Sequence, residues 1–269
     1  QCGSACLNRL RRETSGVSYL CCRLKSRDNL TSNDVIVITG CGSGLGYSLA
    51  LHCRQLGATV IAGVLQMESP AVQKLEDEGV IVYPLDLMEL NIYLYNRISI
   101  PVLRCVINNA AVMVFGEFEW QTYGQLKNQL EVNFLGALIV TQELMPIIRA
   151  HYSRIIVVSS HCKTQPIPGA SVYSGTKAAI SAWATGLRVE LKKYGIRVVC
   201  VVPGNQGILM SRGITGKNLK NWPTGLEFLP IISHLTSSRQ YQSYTFMLSL
   251  SYLYLTITEK KNEISEFAI

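Results

Sequence analysis

The sequence lacks the residue patterns of a metal site or a disulfide framework. It contains no Cys-x-x-Cys pair, and its four histidines show no metal-ligand spacing, so we expect no metal. The nine cysteines form an odd set, and Cys53, Cys105 and Cys200 fall inside predicted strands and helices. Free thiols in these positions are typical of a reducing intracellular compartment and untypical of a secreted domain.

Acidic residues are also few. The 18 Asp and Glu stand against 25 Lys and Arg, which gives a formal net charge of +7. Residues 1–30 hold six basic residues against two acids, so +4 of that charge lies there and only +3 on the rest. A surplus this small, without aromatic residues interleaved in a basic stripe, excludes nucleic acid as a partner. The 48% of hydrophobic residues suffices for a large core and excludes disorder by composition.

The first 33 residues contain no sustained apolar run of the signal-peptide kind, and they are rich in Arg and Ser. Two interpretations of residues 1–33 stay open: a targeting segment of the mitochondrial type, or a flexible leader. Near the other end, residues 244–257 are apolar and β-prone but short for a membrane span. They are compatible with a final strand, a substrate-covering segment or an anchor in peripheral contact with a membrane, such as that of the endoplasmic reticulum.

Apolar, β-prone runs alternate with helical patterns from residue 34 onward. Strands are predicted at 34–38, 59–64, 80–83, 102–107, 155–158 and 196–202, and a helix at 122–150 with Pro146 ending or kinking it. Strands that alternate with helices, without hairpin turns, favour a parallel sheet. The predicted fold class is α/β: a Rossmann-like, doubly wound parallel sheet with helices on both faces, in a single domain over residues 34–210. Residues 211–269 form an atypical segment without a recognisable substrate region, as in a truncated chain.

A glycine-rich turn follows the first predicted strand and precedes a helix. Glycines let a backbone approach phosphates closely, and a helix N-terminus supplies free N–H groups and a positive dipole. This strand-turn-helix context predicts a dinucleotide cofactor. Its contacts are predicted from Thr39, Gly40, Ser43, Gly44, Leu45 and Gly46.

The choice between NAD and NADP cannot be read from charge. Leu65 and Gln66 stand where an acid would bind the ribose 2′-hydroxyl or an arginine the 2′-phosphate. Because no basic residue marks a phosphate site, NAD is weakly favoured over NADP. Asp86, at the end of the third predicted strand, is interpreted either as an adenine contact or as a helix N-cap.

The most informative stretch begins where the fifth predicted strand ends in two serines. Tyr173 and Lys177 follow in a helical pattern, and residues four apart share a helix face. A neighbouring ammonium lowers the pKa of a phenol toward working pH, which a general acid/base for an alcohol needs. Ser160 is placed to orient the substrate oxygen beside them. Tyr123 and Lys127 repeat the spacing without an upstream hydroxyl, and we predict only a solvated helix face there.

Several motifs occur in one order along the chain. They are Thr39-Gly40-x-x-x-Gly44-x-Gly46, Asn108-Asn109-Ala110, Asn133, Ser160, Tyr173-x-x-x-Lys177 and Pro203-Gly204. Together they resemble the short-chain dehydrogenase/reductase family, in its retinol, hydroxysteroid and D-β-hydroxybutyrate dehydrogenase branch, over about residues 34–210. The resemblance implies an NAD- or NADP-dependent oxidoreductase that interconverts a secondary alcohol and a ketone, lipophilic like a steroid or retinoid. It also implies a homodimer or homotetramer.

The resemblance implies a role for each matching residue. Tyr173 would be the acid/base, Ser160 would bind the substrate oxygen, and Lys177 would hold the nicotinamide ribose and lower the tyrosine pKa. Asn133 would anchor a water of the proton relay; from the residues alone, a structural hydrogen bond of a buried amide is the alternative. The cofactor contacts would extend from the glycine turn to Asp86, Asn108, Ala110, Tyr173, Lys177, Pro203 and Gly204.

Three features depart from the family's pattern. Ala111 stands where a glycine commonly closes Asn-Asn-Ala-Gly, no threonine closely follows Pro203-Gly204, and only residues 88–101 are left for the third helix. The alternative to an enzyme is therefore a non-catalytic, cofactor-binding scaffold with a degraded substrate region. The complete catalytic set favours the enzyme, because a pure binder has no need of all four residues.

Overall fold

Parallel strands form a single sheet. The computed structural model describes residues 30–89, 100–203 and 266–268. The strands are β1 Asp34–Thr39, β2 Thr59–Val64, β3 Ile81–Pro84, β4 Val102–Asn108, β5 Arg154–Val158, β6 Arg197–Val202 and β7 Glu266–Ala268. Their order is β3-β2-β1-β4-β5-β6-β7, and all the pairs are parallel. The chain moves outward from β1, returns to β4 and then moves outward on the other side, which confirms the predicted doubly wound fold.

Helices connect the strands and cover the sheet. They are α1 Gly44–Gln55, α2 Pro70–Asp77, α3 Tyr123–Leu130, α4 Gly136–Ala150 and α5 Ser171–Lys192, with a π-helical turn Glu131–Leu135 between α3 and α4 and 3₁₀ turns Phe118–Trp120 and His161–Lys163. Some predicted features lie outside the described residues: most of the leader (1–29), most of the third-helix region (90–99), Gly204 and the apolar stretch 244–257.

The strands are nearly continuous apolar runs because both faces of the sheet are covered. On one face, Ile36 and Ile38 of β1 pack in a cluster with Leu49 of α1. On the other, Val37 packs in a cluster with Leu144 of α4. All six residues of β1 are buried. A sheet held from both sides fixes the carboxyl ends of its strands, where the candidate site lies.

The long helical segment does not end at Pro146, which was one of the two outcomes predicted there. The helix was expected to end or kink there, but α4 continues through Pro146 to Ala150. A proline inside a helix removes one backbone hydrogen bond, and the burial of Leu144 and Ile148 on the sheet offsets that loss. The irregular geometry lies instead at the π-helical turn, which has one more residue in its hydrogen-bonded loop than an α-helix.

The continuous helix Tyr123–Ala150 is long and apolar enough to cross a membrane by length and composition alone. Its apolar residues have another explanation in this structure. Val140, Leu144 and Ile148 are fully buried and pack in the core cluster on the sheet. The helix therefore has the apolar face of a core helix.

Candidate active site

The predicted catalytic tyrosine and lysine lie side by side at the start of α5. Both side chains are buried, and the Lys177 Nζ lies 5.6 Å from the centroid of the Tyr173 ring. Ser160 follows the end of β5, and a hydrogen bond joins its side chain to that of Tyr173. The Ser160 Oγ also accepts a hydrogen bond from the Cys162 N–H at 3.2 Å. The structure thus brings a phenol, an ammonium and a hydroxyl together at the carboxyl edge of the sheet.

In the chain without cofactor, burial has the largest effect on the pKa values of Tyr173 and Lys177. Desolvation raises the pKa of Tyr173 to about 12, although the hydrogen bond to Ser160 acts in the opposite direction. Desolvation also lowers the pKa of Lys177 to about 8, and the thiols of Cys200 and Cys162 partly offset that effect. The net shift of the Tyr173 pKa in the chain alone is thus upward, opposite to the lowering expected from Lys177, and the role of Lys177 toward the phenol stays a prediction. The Lys177 Nζ donates a hydrogen bond to the Val158 carbonyl at 2.9 Å. One of its N–H groups is therefore used at the end of β5.

The substitution Lys177→Met is expected to remove a pH-dependent part of the stability. The Lys177 pKa of about 8 lies below the ordinary ~10.4 of lysine. Between these values the unfolded chain holds a proton that the folded chain has lost, so folding becomes more favourable as the pH rises. The wild type should gain on the order of 1–3 kcal/mol over Lys177→Met between pH 7.5 and about 10.4. Urea unfolding of both chains without cofactor measures this difference.

Lys192→Met serves as the control for that measurement. Lys192 lies at the end of the same helix and is exposed. Its removal should leave the pH profile of stability unchanged. A difference between wild type and Lys177→Met that stays constant with pH would show that folding does not lower the pKa of Lys177.

Asn133 lies in the π-helical turn, where its amide is fully engaged. Its Oδ1 accepts from the Val112 N–H and its Nδ2 donates to the Val112 carbonyl, both at 2.7 Å. The Nδ2 also donates to the Thr176 Oγ1 at 3.1 Å. Thr176 in turn donates to the Tyr173 carbonyl at 2.7 Å. The side chain thus joins the chain after β4 to the turn of α5 that carries Tyr173; the water-anchoring role stays a prediction.

The glycine turn between β1 and α1 has the geometry that only glycine tolerates well. Gly40 and Gly44 have φ angles of +72° and +59°. A Cβ on Gly46 would lie 2.3 Å from the Gly40 carbonyl oxygen and 2.4 Å from the Asn109 Nδ2. Ser43, the N-cap residue, makes no side-chain hydrogen bond to α1. The first N–H groups of this helix are therefore left without a side-chain cap, as an anion-binding helix N-terminus requires.

Asn109 was named in a motif by the sequence analysis but given no role, and the structure shows one. Its Nδ2 donates to the carbonyls of Thr39 and Gly40 at 2.9 and 3.1 Å, and its N–H donates to the Thr39 Oγ1 at 3.1 Å. The Ala110 N–H donates to the same hydroxyl at 3.0 Å. The neighbouring Asn108, predicted along the cofactor, is buried and directs its Nδ2 to the Thr141 Oγ1 on α4 at 2.9 Å. Its place in the Asn108-Asn109-Ala110 motif was the signal from which a role for Asn109 could have been predicted.

The remaining predicted positions lie around the same edge. The Asp86 Oδ1 accepts from the Met88 N–H at 2.8 Å in a local turn after β3. Leu65, directly after β2, is 66% exposed. Ala111 is half-buried, and Pro203 follows β6.

The second Tyr-x-x-x-Lys pair behaves as predicted. Tyr123 is 79% exposed, and Lys127 forms an ion pair with Glu131 at 3.4 Å on the surface of the helix.

The thiols of the described residues lie in the interior. Within the described ranges, no group of three His, Cys, Asp or Glu residues could hold a metal ion. The cysteines in those ranges are buried and form no disulfide with one another; they are Cys41, Cys53, Cys105, Cys162 and Cys200. Burial raises the pKa of the Cys41, Cys53 and Cys105 thiols well above the ordinary value.

Comparison with known proteins identifies the family. A model of the short chain dehydrogenase family matches residues 34–215, which is more than half of the chain. The chain belongs to the short chain dehydrogenase family. This confirms the resemblance seen in the motifs.

Two curated relatives place this short chain dehydrogenase within the predicted branch. Estradiol 17-beta-dehydrogenase 2 of Rattus norvegicus is 35% identical over 181 residues, which cover 63% of this chain and 47% of the relative. The mitochondrial D-beta-hydroxybutyrate dehydrogenase of Mus musculus is 30% identical over 193 residues, which cover 67% of this chain and 56% of the relative. The chain thus spans about half the length of the curated relatives it matches.

Solved structures agree on the fold. The crystal structure of 3-ketoacyl-(acyl-carrier-protein) reductase from Brucella melitensis complexed with NADH has a TM-score of 0.59 and 22% sequence identity, and the match covers 64% of this chain and 76% of that chain. A likeness at this identity supports the sheet and helix arrangement. The predicted oligomer and membrane contact stay predictions.

Proposed function

We propose that this short chain dehydrogenase interconverts a secondary alcohol and a ketone with NAD or NADP, using Tyr173 as the general acid/base. The observation that supports this most is the cluster of Tyr173, Ser160 and Lys177 at one edge of the sheet. The glycine turn lies at the same edge, because β1 and β5 are parallel strands on either side of β4. A hydride donor held at that turn would share the crevice with the tyrosine.

Each residue of the cluster has a separate role in the proposed reaction. Ser160 donates a hydrogen bond to the substrate oxygen and fixes its position. Tyr173 gives its proton to that oxygen during ketone reduction and accepts it during alcohol oxidation. The Lys177 ammonium stabilises the phenolate that exists between these events. A nicotinamide cofactor supplies or accepts the hydride.

The chain fits such a cofactor. The turn residues Gly40 and Gly44 adopt positive φ, and an added Cβ at Gly42 would meet no atom within 4 Å. The first turn of α1 contains no acidic residue that would repel a pyrophosphate. Asn109 holds the carbonyls of Thr39 and Gly40, which keeps the turn open in its binding shape.

A lipophilic substrate, steroid-like or retinoid-like, completes the proposal. It is supported by the likeness to an estradiol dehydrogenase and by the apolar neighbours of Tyr173, which are Cys162, Ala170, Met113 and Phe115. Turnover of a panel of secondary alcohols and ketones with each cofactor tests the function. Reduction or oxidation of at least one panel member is the expected result; cofactor binding without any turnover would favour the scaffold alternative.

The cofactor preference is expected to lie with NAD and to move on substitution of one residue. Leu65 is exposed and uncharged directly after β2, where a 2′-phosphate would lie. Leu65→Arg should therefore strengthen NADPH binding relative to NADH by ~10-fold, the scale of one charge-assisted hydrogen bond. Nucleotide fluorescence titration gives both affinities. Leu130→Arg, at an exposed leucine on α3, should change neither; an unchanged ratio in Leu65→Arg would show that the 2′-phosphate lies elsewhere.

A further inference from the structure

Three amide side chains hold the chain segment 112–116, which follows β4, at every second residue. Asn133 bonds both the N–H and the carbonyl of Val112 at 2.7 Å. The Gln129 Oε1 accepts from the Val114 N–H at 3.2 Å. The Gln121 Nε2 donates to the Gly116 carbonyl at 3.0 Å. We call Gln121, Gln129 and Asn133 the amide row.

The spacing of the amide row matches the spacing of the backbone that it holds. Four residues of an α-helix advance about 6 Å along its axis. Two residues of an extended chain advance about 6.6 Å. Gln129 and Asn133 are four apart and meet Val114 and Val112, which are two apart. The helix therefore fixes the register of the segment, since a slip by one residue would break all these bonds.

Two members of the amide row, Gln129 and Asn133, are buried, so their hydrogen bonds cannot readily be exchanged for water. Gln129 and Asn133 have no exposed surface. The Gln129 Nε2 uses its remaining capacity on the Gln121 Oε1 at 3.0 Å and the Gln125 carbonyl at 3.3 Å. A buried amide that loses a partner keeps the full cost of its desolvation. This network thus holds segment 112–116 in one position.

The other side of the segment borders the catalytic tyrosine. Met113 and Phe115 are two residues apart, as are side chains on one face of an extended chain, and both pack on the cluster of Cys162, Ala170 and Tyr173. The Gly116 N–H donates to the Gly169 carbonyl at 2.9 Å. Gly169 has a φ of +78°, and a Cβ there would lie 3.0 to 3.3 Å from the Phe115 ring. The ring is therefore in close contact with the loop that leads into α5.

We propose that the amide row is a specificity device that holds Met113 and Phe115 as an apolar wall beside Tyr173. Both wall residues are only half-buried, so part of each remains available to a ligand. An apolar wall next to the reacting oxygen favours a secondary alcohol on a rigid hydrocarbon skeleton. It disfavours a short hydroxy acid, because a carboxylate against apolar side chains loses its hydration without gaining a partner. Gln129 acts here as a positioning residue, and the inference rests on the proposed function because it concerns the same site.

The first test measures the row without any substrate. Gln129→Met keeps the length of the side chain but leaves the Val114 N–H without its acceptor. Amide hydrogen exchange of the full chain should speed up in segment 112–116 by roughly 10-fold, the scale of a lost hydrogen bond. Gln125→Met is the matched control: it removes a glutamine one turn earlier, whose Oε1 accepts from the Thr122 N–H at the start of α3 and, among the residues that the structure describes, makes no bond to segment 112–116. Equal exchange of segment 112–116 in Gln129→Met and Gln125→Met would overturn the holding role.

The second test measures the wall by binding. Estradiol and 3-hydroxybutyrate are titrated by calorimetry into the full chain saturated with the reduced cofactor, NADH or NADPH, which cannot accept a hydride from an alcohol. Estradiol should bind the wild type more tightly than 3-hydroxybutyrate does. Phe115→Ala and Gln129→Met should each weaken estradiol binding by ~10-fold, the scale of a lost apolar contact, and leave cofactor affinity unchanged. Gln125→Met should bind both ligands as the wild type does.

The outcomes separate this inference from the function on which it rests. A chain that binds estradiol selectively but turns over no alcohol or ketone would contradict the proposed enzyme function and support the apolar wall. A chain that turns over 3-hydroxybutyrate in preference to estradiol, with Phe115→Ala unchanged, would keep the enzyme and refute the wall. Faster exchange in Gln129→Met with unaltered estradiol affinity would leave the amide row a purely structural element and overturn its role in specificity.

Discussion

Tyr173→Phe is expected to lower kcat by at least ~10²-fold, the usual scale for the loss of a general acid/base. The change removes one oxygen atom and keeps the ring that packs against Cys162 and Ala170. The Ser160 hydroxyl remains, but it cannot supply the proton of a phenol supported by the Lys177 ammonium. Cofactor affinity, measured by nucleotide fluorescence, should stay near the wild-type value because the glycine turn is untouched. Steady-state turnover of the best panel substrate gives kcat.

Tyr123→Phe provides a control within the same sequence motif. Tyr123 also precedes a lysine by four residues, yet it is 79% exposed and lies on the helix surface. Its replacement should change neither kcat nor cofactor affinity. Normal turnover in Tyr173→Phe would disprove the assignment of Tyr173. Equal losses in both variants would indicate a general effect of removing a tyrosine hydroxyl.

Gly46→Ala is expected to have the largest effect on cofactor binding. The new Cβ would lie 2.3 Å from the Gly40 carbonyl oxygen and 2.4 Å from the Asn109 Nδ2. Backbone atoms cannot move aside as a flexible side chain can, so the turn and α1 must separate. Overpacking of this kind costs about 1–3 kcal/mol, which corresponds to ~5- to 150-fold in affinity if the distorted turn is the binding site. Titration with NADH and NADPH measures the loss.

Gly42→Ala tests whether the effect is specific to the close approach. Gly42 belongs to the same turn, but a Cβ there meets no atom of the chain within 4 Å. It should fold and unfold as the wild type does in urea. If Gly46→Ala retained wild-type cofactor affinity, the glycine turn would not be the pyrophosphate site, and the hydride could not be placed beside Tyr173.

Most of the fold could be predicted from local sequence patterns. The run from Val35 to Ile38 was recognisable as a strand because a strand buried on both faces needs apolar residues at consecutive positions. Tyr173 and Lys177 were recognisable because the helical repeat alone brings side chains four apart onto one face. The exposed pair Tyr123 and Lys127 was separated from them by the residues upstream. In each case, the deciding information lay within about a dozen residues.

Contacts between distant segments could not be predicted in this way. Asn109 reaches Thr39 across 70 residues, and Gln129 meets Val114 from another element. The pKa of Tyr173 was predicted in the wrong direction, because desolvation depends on the packing of the whole site and exceeded the effect of one neighbouring charge. The continuation of α4 through Pro146 could not be predicted for a similar reason: the packing of α4 on the sheet stabilises a helix that its own residues would interrupt.

The π-helical turn Glu131–Leu135 keeps distant parts of one helix in phase. An α-helix rotates by about 100° per residue, so positions four apart drift by about 40° at each step. The wider turn rotates less per residue and cancels part of this drift. Gln129, Asn133 and Thr141 consequently all point at the chain that leaves β4, where they meet Val114, Val112 and Asn108 in turn. Deletion of one residue from this turn would rotate the Gln129 side chain about the helix axis, away from the Val114 N–H that it now bonds.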